Sequence, residues 1–104
     1  MKSTLERISN WYRTQCNGDW EHQSGIHIDT LDNPGWTLKI DIVGTALENK
    51  QFDLIEDRME DENEWLRCWK EDGKFRGVCG PHRLEDLLAH FLLWADGKDK
   101  SAAS

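Results

Sequence analysis

Two segments in the first half of the chain alternate apolar and polar residues, which is the pattern of β-strands that bury one face. The apolar positions carry five aliphatic side chains, Ile26, Ile28, Leu38, Ile40 and Ile42. The polar positions between them carry His27, Asp29, Lys39 and Asp41. Both segments are therefore predicted to be strands with one face in the core and the other outside.

The two predicted strands are joined by Asp32-Asn33-Pro34-Gly35, a sequence typical of a hairpin loop. Residues that face one another share a sheet face, so a pairing that keeps the isoleucines together needs an odd number of loop residues. A three-residue loop at 33–35 and a five-residue loop at 32–36 both satisfy this condition. Either loop predicts the pairs Ile26/Ile42, His27/Asp41, Ile28/Ile40 and Asp29/Lys39. We place this hairpin at the centre of a small sheet.

Two other segments have the three-and-four-residue spacing of amphipathic helices. The first helix is predicted from Thr4 to Cys16, because Ser3 and Glu6 form a capping box and Asn17-Gly18 can end the last turn. The second follows Gly80-Pro81 and ends at Gly97. Its apolar stripe consists of Leu84, Leu87, Leu88, Phe91 and Ala95.

Three shorter segments between the hairpin and the second helix are candidate strands. They are Phe52–Ile55, Trp65–Trp69 with Leu66 and Cys68 on one face, and Phe75–Cys79 after a turn at Glu71–Lys74. We therefore expect an α+β fold: an antiparallel sheet of about four strands, with an N-terminal and a C-terminal helix packed on the face of the aliphatic residues.

The chain has 104 residues, which fits one domain, predicted at 1–97, and the polar segment 98–104 is predicted to be a disordered tail. A net charge of −7 argues against partners such as nucleic acid or anionic membrane and favours a basic partner. No apolar run approaches the roughly 20 residues that span a bilayer. Three widely spaced cysteines, with no signal peptide before Leu5, predict a cytoplasmic protein.

Metal and enzyme sites have weak support in the sequence. Its cysteines and histidines lack the Cys-x-x-Cys and paired-histidine spacings of zinc sites, so no metal or cofactor is predicted. A small enzyme or ligand-binding domain could use the segment Trp20–His22 and the pair His27/Asp41. No nucleophile, metal or cofactor can be identified beside these residues, and we predict that the protein is not an enzyme.

Tryptophan and acidic residues are the remaining signal. Six tryptophans are more than a core of this size usually needs, and five carboxylates fall within the eight residues 57–64. Such a charged segment is predicted to be a solvated loop. Tryptophan is a common interface anchor and surrounding carboxylates attract a basic partner, so this composition favours a protein-binding module.

Several segments resemble the immunity protein 53 family of bacterial polymorphic toxin systems. The resemblance is carried by Trp11-Tyr12, Gln15–His22, Gly25-Ile26, Thr30–Trp36 and Phe91–Ala95, and it extends from about Leu5 to Asp96. It implies a small cytoplasmic protein that binds a cognate toxin domain and protects the producing cell. The family label leaves the toxin's chemistry open, and a nuclease is one candidate.

The toxin-binding surface is our own inference from the residues. We place it on the sheet face opposite the helices, which is expected to combine large anchors with negative charge, together with the acidic loop and the segment near residue 20. The predicted contacts are Trp20, Glu21, His22, His27, Asp29, Asp41, Asp53, Asp57, Glu60, Asp61, Glu62, Trp65 and Trp69. When free, the protein is expected to be a monomer or weak dimer.

Overall fold

The computed structural model describes residues 2–97. The prediction of a disordered tail at 98–104 lies outside these residues. In chain order the elements are α1 (Thr4–Gln15), α2 (Trp20–Gln23), β1 (Ile26–Leu31), β2 (Gly35–Asp41), β3 (Ile55–Asp57), β4 (Leu66–Glu71), β5 (Lys74–Cys79) and α3 (Leu84–Ala95).

The five strands form one antiparallel sheet in the order β1-β2-β5-β4-β3. The α+β class is confirmed, with five strands where about four were expected. The first hairpin does not lie at the centre as predicted, because β5 pairs with both β2 and β4 and leaves β1 at an edge. The strand at Phe75–Cys79 was predicted, but its central position was not, because one of its three inward positions is Gly77, which interrupts the apolar pattern.

The first hairpin has a three-residue loop, Asp32 to Pro34, one residue earlier than expected. Gly35 therefore joins β2 opposite Leu31, and every predicted pair shifts by two residues. The observed pairs include Ile26/Ile40, His27/Lys39, Ile28/Leu38 and Asp29/Thr37. A two-residue shift preserves the sheet faces, which explains why the predicted faces are correct although the predicted partners are wrong.

The second hairpin turns at Asp72-Gly73, whose φ angles are +53° and +75°. Positive φ at both central residues is the mark of a type I′ turn, which matches the twist of the flanking strands. The strand predicted at Phe52–Ile55 lies instead at Ile55–Asp57. Phe52 packs its ring against Phe75 and Trp94 at centroid distances of 5.1 and 5.3 Å.

Both predicted helices are confirmed and lie on one side of the sheet. Ser3 and Glu6 form the expected capping box at α1, and the chain leaves this helix through Gly18 at φ +94°. The short helix α2 was not predicted. Helix α3 lies against β5, and α1 packs on α3, where the Trp11 ring meets Phe91 edge-on at 4.9 Å.

The core fills the space between α3 and the sheet. Its buried side chains from the sheet are Leu38, Ile40, Leu66, Cys68, Phe75 and Cys79, with Ile42 directly after β2, and those from α3 are Leu87, Leu88, Phe91, Leu92 and Trp94. Ile26 is partly buried against this cluster. Ile28, which was expected in the core, is 42% exposed because it lies on the edge strand.

Gly77 sets how closely α3 approaches the centre of the sheet. A Cβ atom at this position would lie 2.5 Å from Leu87 Cδ1, closer than side-chain atoms pack in proteins. The absence of a side chain at Gly77 therefore allows Leu87 to rest directly on the backbone of β5. A larger residue at position 77 would displace the Leu87 side chain from this contact.

We expect Ile40→Ala to reduce the free energy of unfolding by about 2–5 kcal/mol, because Ile40 is fully buried and its truncation leaves a cavity. Urea denaturation followed by tryptophan fluorescence measures the change. Leu54→Ala, at an exposed position, is the matched control and should cost less than about 1 kcal/mol. Equal losses in the two variants would contradict the assignment of the core face.

The two buried thiols provide a second prediction. Burial raises the pKa of Cys68 to about 12 and that of Cys79 to about 11, so both stay protonated and unreactive near neutral pH. A thiol reagent at pH 8 should therefore label only the partly exposed Cys16 of the folded protein, and all three cysteines after denaturation. Mass spectrometry of the labelled protein counts the modified sites. Rapid labelling of Cys68 in the folded protein would disprove its burial.

Candidate functional site: the open sheet face

Neither α1 nor α3 covers the sheet face opposite the core. We call this face the open face. Its side chains form rows across the strands, because directly paired residues point to the same side. One row consists of His27, Lys39, Arg76 and Trp69. The next consists of Asp29, Thr37, Val78, Arg67 and Glu56.

Two cations lie side by side at the centre of the open face. Lys39 on β2 is directly opposite Arg76 on β5, and neither forms an ion pair or side-chain hydrogen bond with any residue of the 2–97 range. They line a shallow cavity of about 270 Å³ with His27, Asp29 and Trp69. Like charges opposite one another destabilise a strand pair, so the fold gains nothing from this arrangement. An anionic group that enters the cavity would neutralise the positive charges of Lys39 and Arg76.

Trp69 forms the other end of this row in a fixed orientation. The Arg67 guanidinium lies over its ring at 4.8 Å from the centroid, and its indole N–H donates a hydrogen bond of 2.9 Å to Glu71 Oε1. These contacts hold the ring in place while one part stays accessible. A side chain that is already ordered loses little conformational entropy on binding, which suits an interface anchor.

The prediction that the open face is negatively charged is wrong. Its carboxylates are Asp29, Asp41, Glu56 and Glu71, and its cations are Lys39, Arg67, Lys74 and Arg76. The opposite charges are equal in number. Three of the four cations come from β4 and β5. The sequence shows that cations alternate with inward-facing residues along β4 and β5, but it does not show that β5 lies at the centre of the sheet.

Asp41 holds the beginning of β1 in place. Its Oδ2 atom accepts a hydrogen bond of 2.9 Å from the N–H of Gly25 and lies 3.8 Å from His27 Nε2. The Oδ1 atom lies 3.6 Å from Lys74 Nζ. His27 and Asp41 are therefore close, as predicted, although they are diagonal rather than opposite neighbours. The carboxylate is already occupied by a backbone donor, so this pair lacks the geometry of a catalytic dyad.

The acidic loop, residues 57–64, begins at Asp57, the last residue of β3, and is held by contacts of its own. Asp57 binds Arg83 Nη1 at 2.9 Å, and Glu64 lies 3.2 Å from His82 Nδ1. Asp61 accepts the N–H groups of Asn63 and Glu64, each at 2.8 Å, and these hydrogen bonds lower the pKa of its carboxyl. Three of the five carboxylates thus shape the loop.

The other two carboxylates of the acidic loop, Glu60 and Glu62, are exposed and form no ion pair with another residue of the 2–97 range. They line a groove that also contains Trp65 and the tip of the first hairpin at Asn33 and Pro34. The loop and the hairpin tip therefore meet at one end of the sheet. Asp53 lies apart from the open face, before β3, where it accepts a hydrogen bond of 3.1 Å from Gln51.

The segment Trp20–His22 does not join the open face. Trp20 is only 6% exposed and packs edge-on against Trp11, with its ring 5.9 Å away. Backbone N–H groups lower the pKa of Glu21, its own first and then those of Asn17 and Gly18, which it caps at 2.9 and 2.8 Å. His22 is exposed. These residues fold the connection between α1 and β1.

Within residues 2–97 no group of three or more His, Cys, Asp or Glu side chains could hold a metal ion. None of the helices in this same range combines the length and the apolar character needed to cross a membrane. The open face presents charged groups, hydrogen-bonding groups and the aromatic ring of Trp69.

No curated protein and no solved structure matches the chain. A family model described as immunity protein 53 matches residues 5–96, which is nearly all of the described sequence. The match covers α3 and every strand of the sheet, and α1 from its second residue onward. The chain therefore belongs to the immunity protein 53 family.

Proposed function

We propose that this protein neutralises a cognate bacterial toxin domain in the cytoplasm of the producing cell by binding it stoichiometrically through the open face and the acidic loop. Membership of the immunity protein 53 family supports an immunity function and implies a toxin as partner. The observation that carries the choice of surface is the central row of the open face, where an ordered tryptophan adjoins two cations that form no ion pair within residues 2–97.

The open face suits a protein partner better than a small substrate. Its cavity is shallow, and its groups lie across four neighbouring strands rather than around one reacting centre. A partner carboxylate placed between Lys39 and Arg76 would form charge-assisted hydrogen bonds and relieve the repulsion between these cations. The ring of Trp69 would supply the apolar contact beside it. Together they would form the centre of the interface.

The negative charge of the acidic loop favours a toxin whose surface is basic around the residues that contact the central row. It carries five carboxylates and one arginine, and so contributes more than half of the protein's net charge of −7. Glu60 and Glu62 face solvent, where they can attract a cationic surface during diffusional encounter. A nuclease domain would meet this requirement, since the surface that binds its phosphate substrate is basic. Blocking that surface would inhibit the toxin without any chemical step.

An enzyme based on His27 and Asp41 has less support. The imidazole nitrogen lies 3.8 Å from a carboxylate oxygen that already accepts the Gly25 N–H. Cys68 and Cys79 are buried and their thiols stay protonated, so neither can serve as a nucleophile. Binding alone accounts for the groups that the open face presents.

Neutralising the two solvent-facing carboxylates of the acidic loop should slow association with the toxin. We expect Glu60→Gln/Glu62→Gln to lower the association rate and its sensitivity to salt, with little change in dissociation, because these charges act before contact. Surface plasmon resonance with the cognate toxin domain, at two salt concentrations, measures both rates. Asp19→Asn/Glu85→Gln removes the same charge elsewhere and should change association less. Equal effects of the two double variants would show that only net charge matters.

Removing the Trp69 side chain should increase the rate at which the complex with the toxin dissociates. We expect Trp69→Ala to weaken binding by about 2 kcal/mol or more, mainly through faster dissociation, because the accessible part of the ring becomes buried in the complex. Trp69→Phe retains an aromatic ring and should lose less. Circular dichroism checks that both variants are folded. A folded Trp69→Ala variant that dissociates at the unchanged rate would place the interface on another surface.

A further inference from the structure

The two edges of the sheet differ in how well they are protected. The β3 edge is three residues long and leads into the acidic loop, and short, charged edges discourage pairing with other chains. The β1 edge is six residues long and contains neither lysine nor proline. Its outer side pairs with no strand of the 2–97 range. This edge is open to another strand.

The hydrogen-bond pattern shows which residues of β1 face outward. The Asp41 N–H donates to the Gly25 carbonyl at 3.1 Å, so these two residues form a directly bonded position of the ladder. Bonded and non-bonded positions alternate along antiparallel strands, which places His27 and Asp29 at bonded positions toward β2. The N–H and C=O groups of Ile26, Ile28 and Thr30 therefore point away from the sheet.

We propose that β1 pairs antiparallel with β1 of a second copy of this chain, about a two-fold axis through Ile28. In this register Ile28 faces Ile28 of the second copy, and Ile26 faces Thr30, so all the outward backbone groups of these three residues find partners. His27 of each copy then faces Asp29 of the other. This pair occupies a non-bonded position, where side chains approach most closely, and its attraction is electrostatic when the imidazole is protonated.

Neighbouring registers are less favourable. An axis through Asp29 would set two Asp29 carboxylates opposite one another, and an axis through His27 would do the same with two imidazoles. An axis through Thr30 would put Ile28 opposite Asp32, beyond the end of the strand. Only the register centred on Ile28 pairs five of the six residues of the strand and also sets His27 opposite Asp29, so β1 is complementary to itself.

Exposed apolar side chains beside β1 also support pairing with a second copy of this chain. Leu5 is 69% exposed, Ile28 42% and Tyr12 40%, and all three line one groove between α1 and β1. A two-fold axis perpendicular to the sheet keeps both sets of helices on the same side. Each copy would then bring an equivalent groove to the axis, and the two Ile28 side chains would be shielded between them. The dimer doubles the five-stranded sheet and leaves the open face uncovered.

Sedimentation velocity of the wild-type protein over a wide concentration range tests the proposal. We expect a reversible species of twice the 12.1 kDa chain mass. Ile28→Lys should abolish it by placing two cations at the axis, whereas Leu54→Lys, at an exposed leucine near the other edge, should not. A wild-type protein that is monomeric at every concentration, or an Ile28→Lys variant that dimerises like the wild type, would overturn the proposal.

Charge reversal and crosslinking test the register. His27→Asp should weaken dimerisation about tenfold or more, and His27→Asp/Asp29→Lys should restore it by reversing the pair. In a Cys16→Ser background, Ile28→Cys should form an intermolecular disulfide, because residues on the axis have Cα atoms about 5.5 Å apart. Thr30→Cys faces Ile26 and should not crosslink. Equal crosslinking at the two positions, or no restoration by the double variant, would refute this register.

Discussion

The contact between Leu87 and the backbone of Gly77 determines how the two layers of the molecule fit together. It brings α3 close to the central strand, and Phe91, Leu92 and Trp94 then reach the aliphatic residues of the sheet. Helix α1 packs on α3 rather than on the opposite side of the sheet. Both helices therefore lie on one face, and the open face remains accessible because of this arrangement.

A second constraint connects α3 to the acidic loop. Arg83 lies just before α3 and is almost completely buried, and its Nη1 atom donates to Asp57 Oδ2 and to the Glu64 carbonyl at 2.9 and 2.6 Å. Its Nε atom donates to Asp86 at 2.7 Å. A buried guanidinium needs such partners, since an unpaired buried charge is strongly destabilising. The loop that looks like a simple acidic run in the sequence is therefore fixed to the core by a cation.

The local features of this fold could be predicted from the sequence, and the non-local ones could not. Capping at Ser3, the helix ends at Gly18 and Gly97, and the alternation of strand faces all depend on neighbouring residues. The position of β5 in the sheet depends on contacts between distant segments, and no local pattern encodes it. The same limit applies to the site. Trp69 could be predicted as a candidate anchor from the sequence, but the Lys39/Arg76 pair required knowledge of which strands are adjacent.

The two kinds of carboxylate in the acidic loop differ in how freely they can evolve. Asp57, Asp61 and Glu64 are tied to Arg83, backbone N–H groups and His82, so their replacement would disturb the loop. Glu60 and Glu62 form no such contacts within residues 2–97, and substitutions at exposed positions of this kind cost little stability. A lineage can therefore change the charge of this surface by mutations at these two positions while the loop keeps its shape.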